Sequence, residues 1–438
     1  MGRLLLIVPL CIVMMAPSLE AQSVKTLQKE LQRAIKKEEF DKLPDIIRRL
    51  GETGDEKAAK VLVAAIGILP EGWGVEEAIN ALIALGSENV ESSFKKLVKK
   101  KRIDDTVGAV VVAVAEKFDD EASEEWLVAC LEKGTDFVAR SAVPAVVARK
   151  SKLAIPALID LLERLGFQPS TASYRVRDAL VALTGQDFES IEDWRKFWKA
   201  NEASLDPKNL DQDGPTGVAR KMPGTYKPPT FFDVEILSNR VVFVVDVSGS
   251  MQLWDKDASG GDGGDWKKRK RIVRLQKQLT EVVEKLPESA EFNIIAFSDW
   301  TKRFEKKPVR ATRKVKKKAL EFIRGLRPSG ATFTDDALVE ALAEAQVDTI
   351  VLLTDGVPSR MGQKSRDLMA SIPERIKRLN FLSKVIIHTF GFIGEGELPP
   401  GTPSAPPNPD DENLTPEEFE EFLRKIAEQN GGKFSKVE

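Results

Sequence analysis

From Val24 to about Leu165 apolar residues recur at helical spacing, and two helix types alternate. One type runs over Glu56 to Ile66, Glu88 to Val98, Asp120 to Leu131 and Ser151 to Leu162, with starts 32, 32 and 31 residues apart. Between them lies a more apolar type, at Val75 to Gly86, Asp105 to Phe118 and Asp136 to Arg149, and Tyr174 to Gly185 extends it at a longer interval. Helices at such a period cannot bury their apolar faces singly, whereas stacked pairs can. The pattern predicts a solenoid of about four helix pairs, with a non-repeating bundle as the alternative. Pro144 and Pro156 fall inside the helical pattern as kink positions. Trp194, Phe197 and Trp198 share one face of a short helix, which predicts a terminal cap over the last open apolar surface.

Residues 201–235 change character. Asp206-Pro207, Asp213-Gly214-Pro215, Met222-Pro223-Gly224 and Lys227-Pro228-Pro229 are turn or extended signals, so this stretch reads as a linker. From Val241 short apolar strands alternate with helices. Strands are expected at Val241 to Val245, Phe292 to Phe297, Thr349 to Leu353 and Val385 to Phe390. Helices are expected at Lys267 to Leu286, Lys314 to Ile323, Asp335 to Ala345, Asp367 to Asn380 and Pro416 to Gln429. Such alternation implies a mostly parallel, doubly wound, Rossmann-like α/β sheet covered on both faces. The chain therefore divides into an all-α solenoid at 22–200, the linker, and an α/β domain at 236–438.

The first 21 residues stand apart. Arg3 precedes the apolar run Leu4 to Ala16, and Ala21 offers a small residue before Gln22, as in a cleaved signal peptide. About 13 apolar residues are few for a membrane span, which needs ~20. The expected mature chain is exported (periplasmic, cell-surface or extracellular) and has no transmembrane segment. Cleavage would leave Cys130 as the single cysteine, so no intramolecular disulfide is expected, and its apolar surroundings suit a buried filler. A net charge of -2 over 438 residues, with 42% hydrophobic content, gives no reason to expect nucleic acid as a partner.

Candidate chemistry gathers where the predicted strands end. Asp246-Val247-Ser248-Gly249-Ser250 follows the first strand, and Asp355-Gly356 follows Ile350 to Thr354. Gly330 to Leu338 contributes Thr332 just before a helix. Ligands of α/β sheets bind at the carboxyl ends of strands, where both aspartates fall. Aspartate and hydroxyl oxygens suit a hard cation and disfavour zinc.

These three segments, in this order, resemble the metal-ion-dependent adhesion site of von Willebrand factor A domains, over roughly Ile236 to Glu438. The resemblance implies that Asp246, Ser248, Ser250, Thr332 and Asp355 coordinate a cation, some directly and some through water. It further implies Mg2+ as the usual ion, with Mn2+ or Ca2+ possible, and a protein partner whose carboxylate completes the shell. The helical region resembles HEAT-type repeats. Its Leu183-Thr184-Gly185 to Trp194 end is similar to exported bacterial proteins of planctomycete type. Together these imply a non-enzymatic adhesion or scaffold protein with a second interaction surface on the helical array.

Three further segments carry possible chemistry. Asp255 to Asp265 begins like a calcium loop but carries Trp266 where a bidentate glutamate is required. Between Trp266 and Arg327 stand 20 Lys and Arg against 7 Asp and Glu, concentrated at Lys267 to Arg271 and Arg313 to Lys318. This face could bind an anionic envelope polymer, or be a solvated surface balanced by Glu417, Glu418, Glu420 and Glu421. The proline-rich acidic stretch from Leu398 to Glu412 is expected on the same rim as the metal site. A metal-dependent hydrolase is the competing class. His388 is the only histidine and sits inside a strand, and Thr354 and Asp335 are nearby polar groups without an assigned role.

Overall fold

The computed structural model describes residues 23–69, 74–166, 171–210, 228–255, 267, 269–344, 347–394, 396–398 and 414–437. The expected signal peptide, the calcium-like loop after Asp255 and the proline-rich stretch after Leu398 lie outside them. No helix of the described residues is long and apolar enough to cross a membrane.

Among the described residues eleven α-helices build the N-terminal region. They are α1 (Val24–Lys36), α2 (Leu43–Glu52), α3 (Glu56–Ile66), α4 (Val75–Leu85), α5 (Ser87–Val98) and α6 (Asp105–Ala115). Then follow α7 (Glu121–Lys133), α8 (Asp136–Ala148), α9 (Ala154–Leu165), α10 (Thr171–Thr184) and α11 (Ile191–Asn201). Side-chain caps set several starts. Asp104 accepts the Val107 N–H at 2.9 Å, and Asp120 accepts the Ser123 N–H at 2.8 Å within a capping box. One continuous apolar core runs from Leu27 to Trp194. At Gly108 a Cβ would lie 2.4 Å from Val138 Cγ1, so the absent side chain lets α6 and α8 close on each other. Trp194 is fully buried and its ring meets Phe188 edge-on at 4.9 Å, closing the far end of this core.

The C-terminal region is a mostly parallel sheet. Its strands are β3 (Arg240–Asp246), β4 (Glu291–Phe297), β5 (Thr301–Arg303), β6 (Val309–Arg310), β7 (Thr349–Thr354), β8 (Ile386–Gly391) and β9 (Phe434–Lys436). They pair in the order β5-β4-β3-β7-β8-β9, with β6 also on β4; only β5 and β6 run antiparallel. Alternation along β3 feeds two cores. Val241, Phe243 and Val245 face α12 (Arg271–Lys285) and α13 (Arg313–Arg324). Val242 and Val244 face α14 (Thr334–Leu342), α15 (Ser365–Asn380) and α16 (Pro416–Gln429).

The end of the expected linker belongs to this domain. Thr230–Phe231 (β1) and Val234–Glu235 (β2) form a hairpin, and buried Phe231 meets the Phe390 ring at 5.1 Å. The turn holds Phe232 and Asp233 at φ 42° and 63°, the left-handed pair that a two-residue hairpin demands.

The array docks against the amino ends of the strands. Arg140 of α8 pairs with Asp348, just before β7, at 3.0 Å, and both side chains are nearly buried. Asp348 also accepts the Ser238 hydroxyl. Phe381 and Leu382, beyond α15, pack on the apolar core of the array. The carboxyl ends of the strands, where Asp246 and Asp355 fall, therefore face away from it.

Candidate metal centre

Asp246 closes β3 and is fully buried. Its Oδ1 accepts the Ser248 N–H at 2.7 Å, and its Oδ2 accepts the Thr354 hydroxyl at 2.5 Å. Ser248 and Ser250 follow in a short turn, hydroxyl to hydroxyl at 3.0 Å. The Ser250 hydroxyl donates to Asp355 Oδ1 at 2.7 Å, which joins the ends of β3 and β7.

Thr332 enters from the side. A Cβ on Gly356 would lie 3.6 Å from Ser250 Oγ and 3.7 Å from Thr332 Oγ1, so both hydroxyls border the same space beside that glycine. The Thr332 loop is held by Gly249 N–H donating to Gly330 O at 3.0 Å and by Ser329 N–H donating to Val247 O at 2.7 Å. Gly330 has φ +81°, and a Cβ there would overlap Asp299 Oδ1 at 2.0 Å, so only glycine fits. All five expected site residues are thus brought to one end of the sheet.

Sequence reasoning missed Arg271. Its place in the basic run from Lys267 suggested a solvated cation, but it is 2% exposed. One nitrogen donates to Asp355 Oδ2 at 3.0 Å, Nε donates to Asp255 Oδ1 at 3.0 Å, and a third donates to Gly394 O at 2.9 Å. A single guanidinium therefore fastens the loops after β3, β7 and β8. Asp355 is left charge-matched, whereas Asp246 has no basic side chain in ion-pair contact among the described residues.

Burial pushes both aspartates above the ordinary carboxylate range. For Asp246 the neighbouring charge of Asp355 adds to the rise, and hydrogen bonds from Thr354 and Ser248 oppose it. For Asp355 the opposing influence is chiefly Arg271. Burying an unmatched carboxylate is costly unless a proton or a cation compensates it. Thr334 Oγ1, at the start of α14, is also buried without a hydrogen-bond partner among the described residues. The oxygen donors and the unmatched Asp246 charge fit a hard divalent cation.

The other candidates have different roles. Asp335 is engaged by Arg360 at 2.8 Å and Arg375 at 3.0 Å, so it is committed to ion pairs beside the site. His388 Nδ1 accepts the Lys433 N–H at 3.2 Å, and burial lowers its pKa. Cys130 is buried in the array and its thiol is pushed up to about 12 by burial, which suits a filler. The lysine-rich segment forms the β5, β6 and α13 edge of the domain, with Lys306, Lys307, Arg310, Arg313, Lys314, Lys317 and Lys318 exposed.

Residues 241–357, which include all five site positions, match the von Willebrand factor type A domain. Inter-alpha-trypsin inhibitor heavy chain H4 of Homo sapiens is 28% identical over 152 residues, which is 32% of this chain and 15% of that protein. This chain thus matches only a small part of that relative. A von Willebrand factor type A structure from Catenulispora acidiphila is 19% identical, covering 47% of this chain and 40% of that one, with a TM-score of 0.33. An aerotolerance-related membrane protein from Bacteroides fragilis is 16% identical, covering 45% and 90%, also at a TM-score of 0.33. At such scores these two structures carry no weight for function.

Proposed function

We propose that the C-terminal domain binds a protein partner through a divalent cation, Mg2+ or else Mn2+ or Ca2+, held by Asp246, Ser248, Ser250, Thr332 and Asp355. The observation that carries this reading is the charge balance around Asp246. Arg271 offsets Asp355 and Arg274 pairs with Asp255 at 2.9 Å, so the centre presents one unmatched carboxylate, Asp246. A divalent ion reverses that to one surplus positive charge, and one carboxylate of a partner neutralises it. The bound ion supplies the positive charge, while the chain's own groups hold the donors in place. Thr354 and the Ser248 amide orient Asp246, and Arg271 and Ser250 orient Asp355.

On this reading the protein is an exported adhesion or scaffold protein rather than an enzyme. Its HEAT-like array supplies a second interaction surface and docks at the end of the domain remote from the cation. Thermal melts with Mg2+, Mn2+, Ca2+ or EDTA test the reading. Expected is a rise in Tm with at least one cation for the native protein and none for Asp246→Asn, since a ligand bound only to the folded state stabilises it by about 2.7 kcal/mol at 100-fold excess over Kd. Equal melting of both proteins with every cation would refute it.

A further inference from the structure

Five large apolar side chains are exposed among the described residues, and three of them lie in the C-terminal domain. Trp300 is 42% exposed, Met361 99% and Leu398 37%. Single exposed apolar residues are ordinary on a protein surface. Their placement is not. Trp300 lies just beyond β4, Met361 beyond β7 and Leu398 beyond β8, and these strands run parallel to β3 in the order β4-β3-β7-β8. All three therefore stand on the carboxyl rim of the sheet, and the loop carrying Asp246 emerges between those of Trp300 and Met361.

The segments that carry them are tied by hydrogen bonds to the loops of the centre. Ser298 N–H donates to Trp300 O at 2.8 Å, and Ser298 O accepts the Phe333 N–H at 2.9 Å, next to Thr332. Ser359, two residues before Met361, donates its N–H to Thr332 O at 3.0 Å, and its hydroxyl accepts the Thr332 N–H at 3.1 Å. Glu397, beside Leu398, exchanges backbone bonds of 2.8 and 3.0 Å with Trp254, four residues after Ser250. Tryptophan and methionine are enriched where proteins meet, and buried tryptophans dominate binding energy.

We infer that this rim is a docking surface for a peptide segment that presents one carboxylate flanked by bulky apolar side chains. The carboxylate is drawn by the surplus positive charge of the loaded centre, and Trp300, Met361 and Leu398 cover the flanking apolar groups. The inference rests on the cation reading above and adds to it the chemistry of the partner.

The test uses the full chain and three dye-labelled, capped peptides, Ser-Phe-Asp-Leu-Ser, Ser-Ser-Asp-Ser-Ser and Ser-Phe-Asn-Leu-Ser, followed by fluorescence polarisation with saturating Mg2+. Burying even one large apolar side chain is worth roughly a tenfold gain or more in affinity. Expected is binding of the first peptide at least about tenfold tighter than the second, and loss of binding for the third peptide or with EDTA. Trp300→Ser and Met361→Ser should each narrow that preference several-fold while calorimetric Mg2+ affinity stays unchanged. Met361 is almost wholly exposed, so its substitution does not endanger folding. Equal affinity for the first two peptides, or no peptide binding by a protein that binds Mg2+, would overturn the inference. So would sedimentation showing Mg2+-dependent self-association that Trp300→Ser abolishes, because the occupant would then be a second copy. Failure to bind Mg2+, Mn2+ or Ca2+ defeats the cation reading itself, an outcome distinct from losing the apolar preference.

Discussion

The helical array and the α/β domain both bury polar groups, but to different ends. In the array the buried polar residues include Ser123, Ser151 and Thr184, which cap helices or bond to nearby backbone. Beyond their own turns they reach only the adjacent helices, Ser123 accepting from Arg149 and Ser151 donating to Glu124, and they gather no pair of buried carboxylates. In the domain Asp246, Ser248, Thr332, Thr354, Asp355 and Arg271 are all buried and meet at one end of the sheet. A buried polar group explained by its own helix or the next one is architecture. One explained only by residues a hundred positions away marks a site, because the chain accepts a desolvation cost there that local structure does not require.

Substitutions can break that contrast or sharpen it. The largest effect is expected from Arg271→Leu, which leaves Asp355 buried beside an apolar side chain; loss of one partner of a buried pair costs about 3–5 kcal/mol. Urea denaturation measures it, and adding Asp355→Asn should recover part of the loss, since the two residues act as one unit. Gly108→Ala is the array's counterpart. Its Cβ would overlap Val138, so about 1–3 kcal/mol of stability should be lost with Mg2+ affinity untouched. A change in cation affinity for this variant would show that the two regions are coupled through their interface.

Asp120→Ala should cost about 1 kcal/mol by removing a helix cap, again without altering the site. The smallest effect concerns pH. Burial and Lys433 hold His388 below the usual histidine range, so the unfolded chain takes up its proton first on acidification. The stability linked to His388 is complete above its unfolded pKa and falls as pH drops toward the lowered folded value. Melting at pH 7.5 and 5.5 should show a smaller acid loss for His388→Asn than for the native protein, because no other histidine is present. An identical loss would remove His388 from the account.

The sequence made much of this legible, and unevenly. The long helices of the array and the four central strands announced themselves through periodicity, and α3 spans Glu56–Ile66 as the apolar spacing predicts. The hairpin β1–β2 and the strands β5, β6 and β9 did not, since two or three residues contain too little alternation to detect. The five oxygen-bearing residues are implied together by the resemblance to von Willebrand factor A domains, and each motif borders an apolar strand or a helix start. Arg271 was not, because its partners Asp255, Asp355 and Gly394 lie 16, 84 and 123 positions away and nothing local separates it from Lys267. Nothing local gives Thr354 a role, because its bond to Asp246 exists only once β3 and β7 pair.

Titration calorimetry of Mg2+, Mn2+ and Ca2+ into the native protein and into Asp246→Asn tests the central claim most directly. The account predicts one site per native chain for at least one of these cations and no detectable binding to the variant, whose fold should survive because removing an unmatched buried charge does not destabilise the unloaded protein. Binding of equal affinity to both proteins would contradict it, and so would the absence of binding to either.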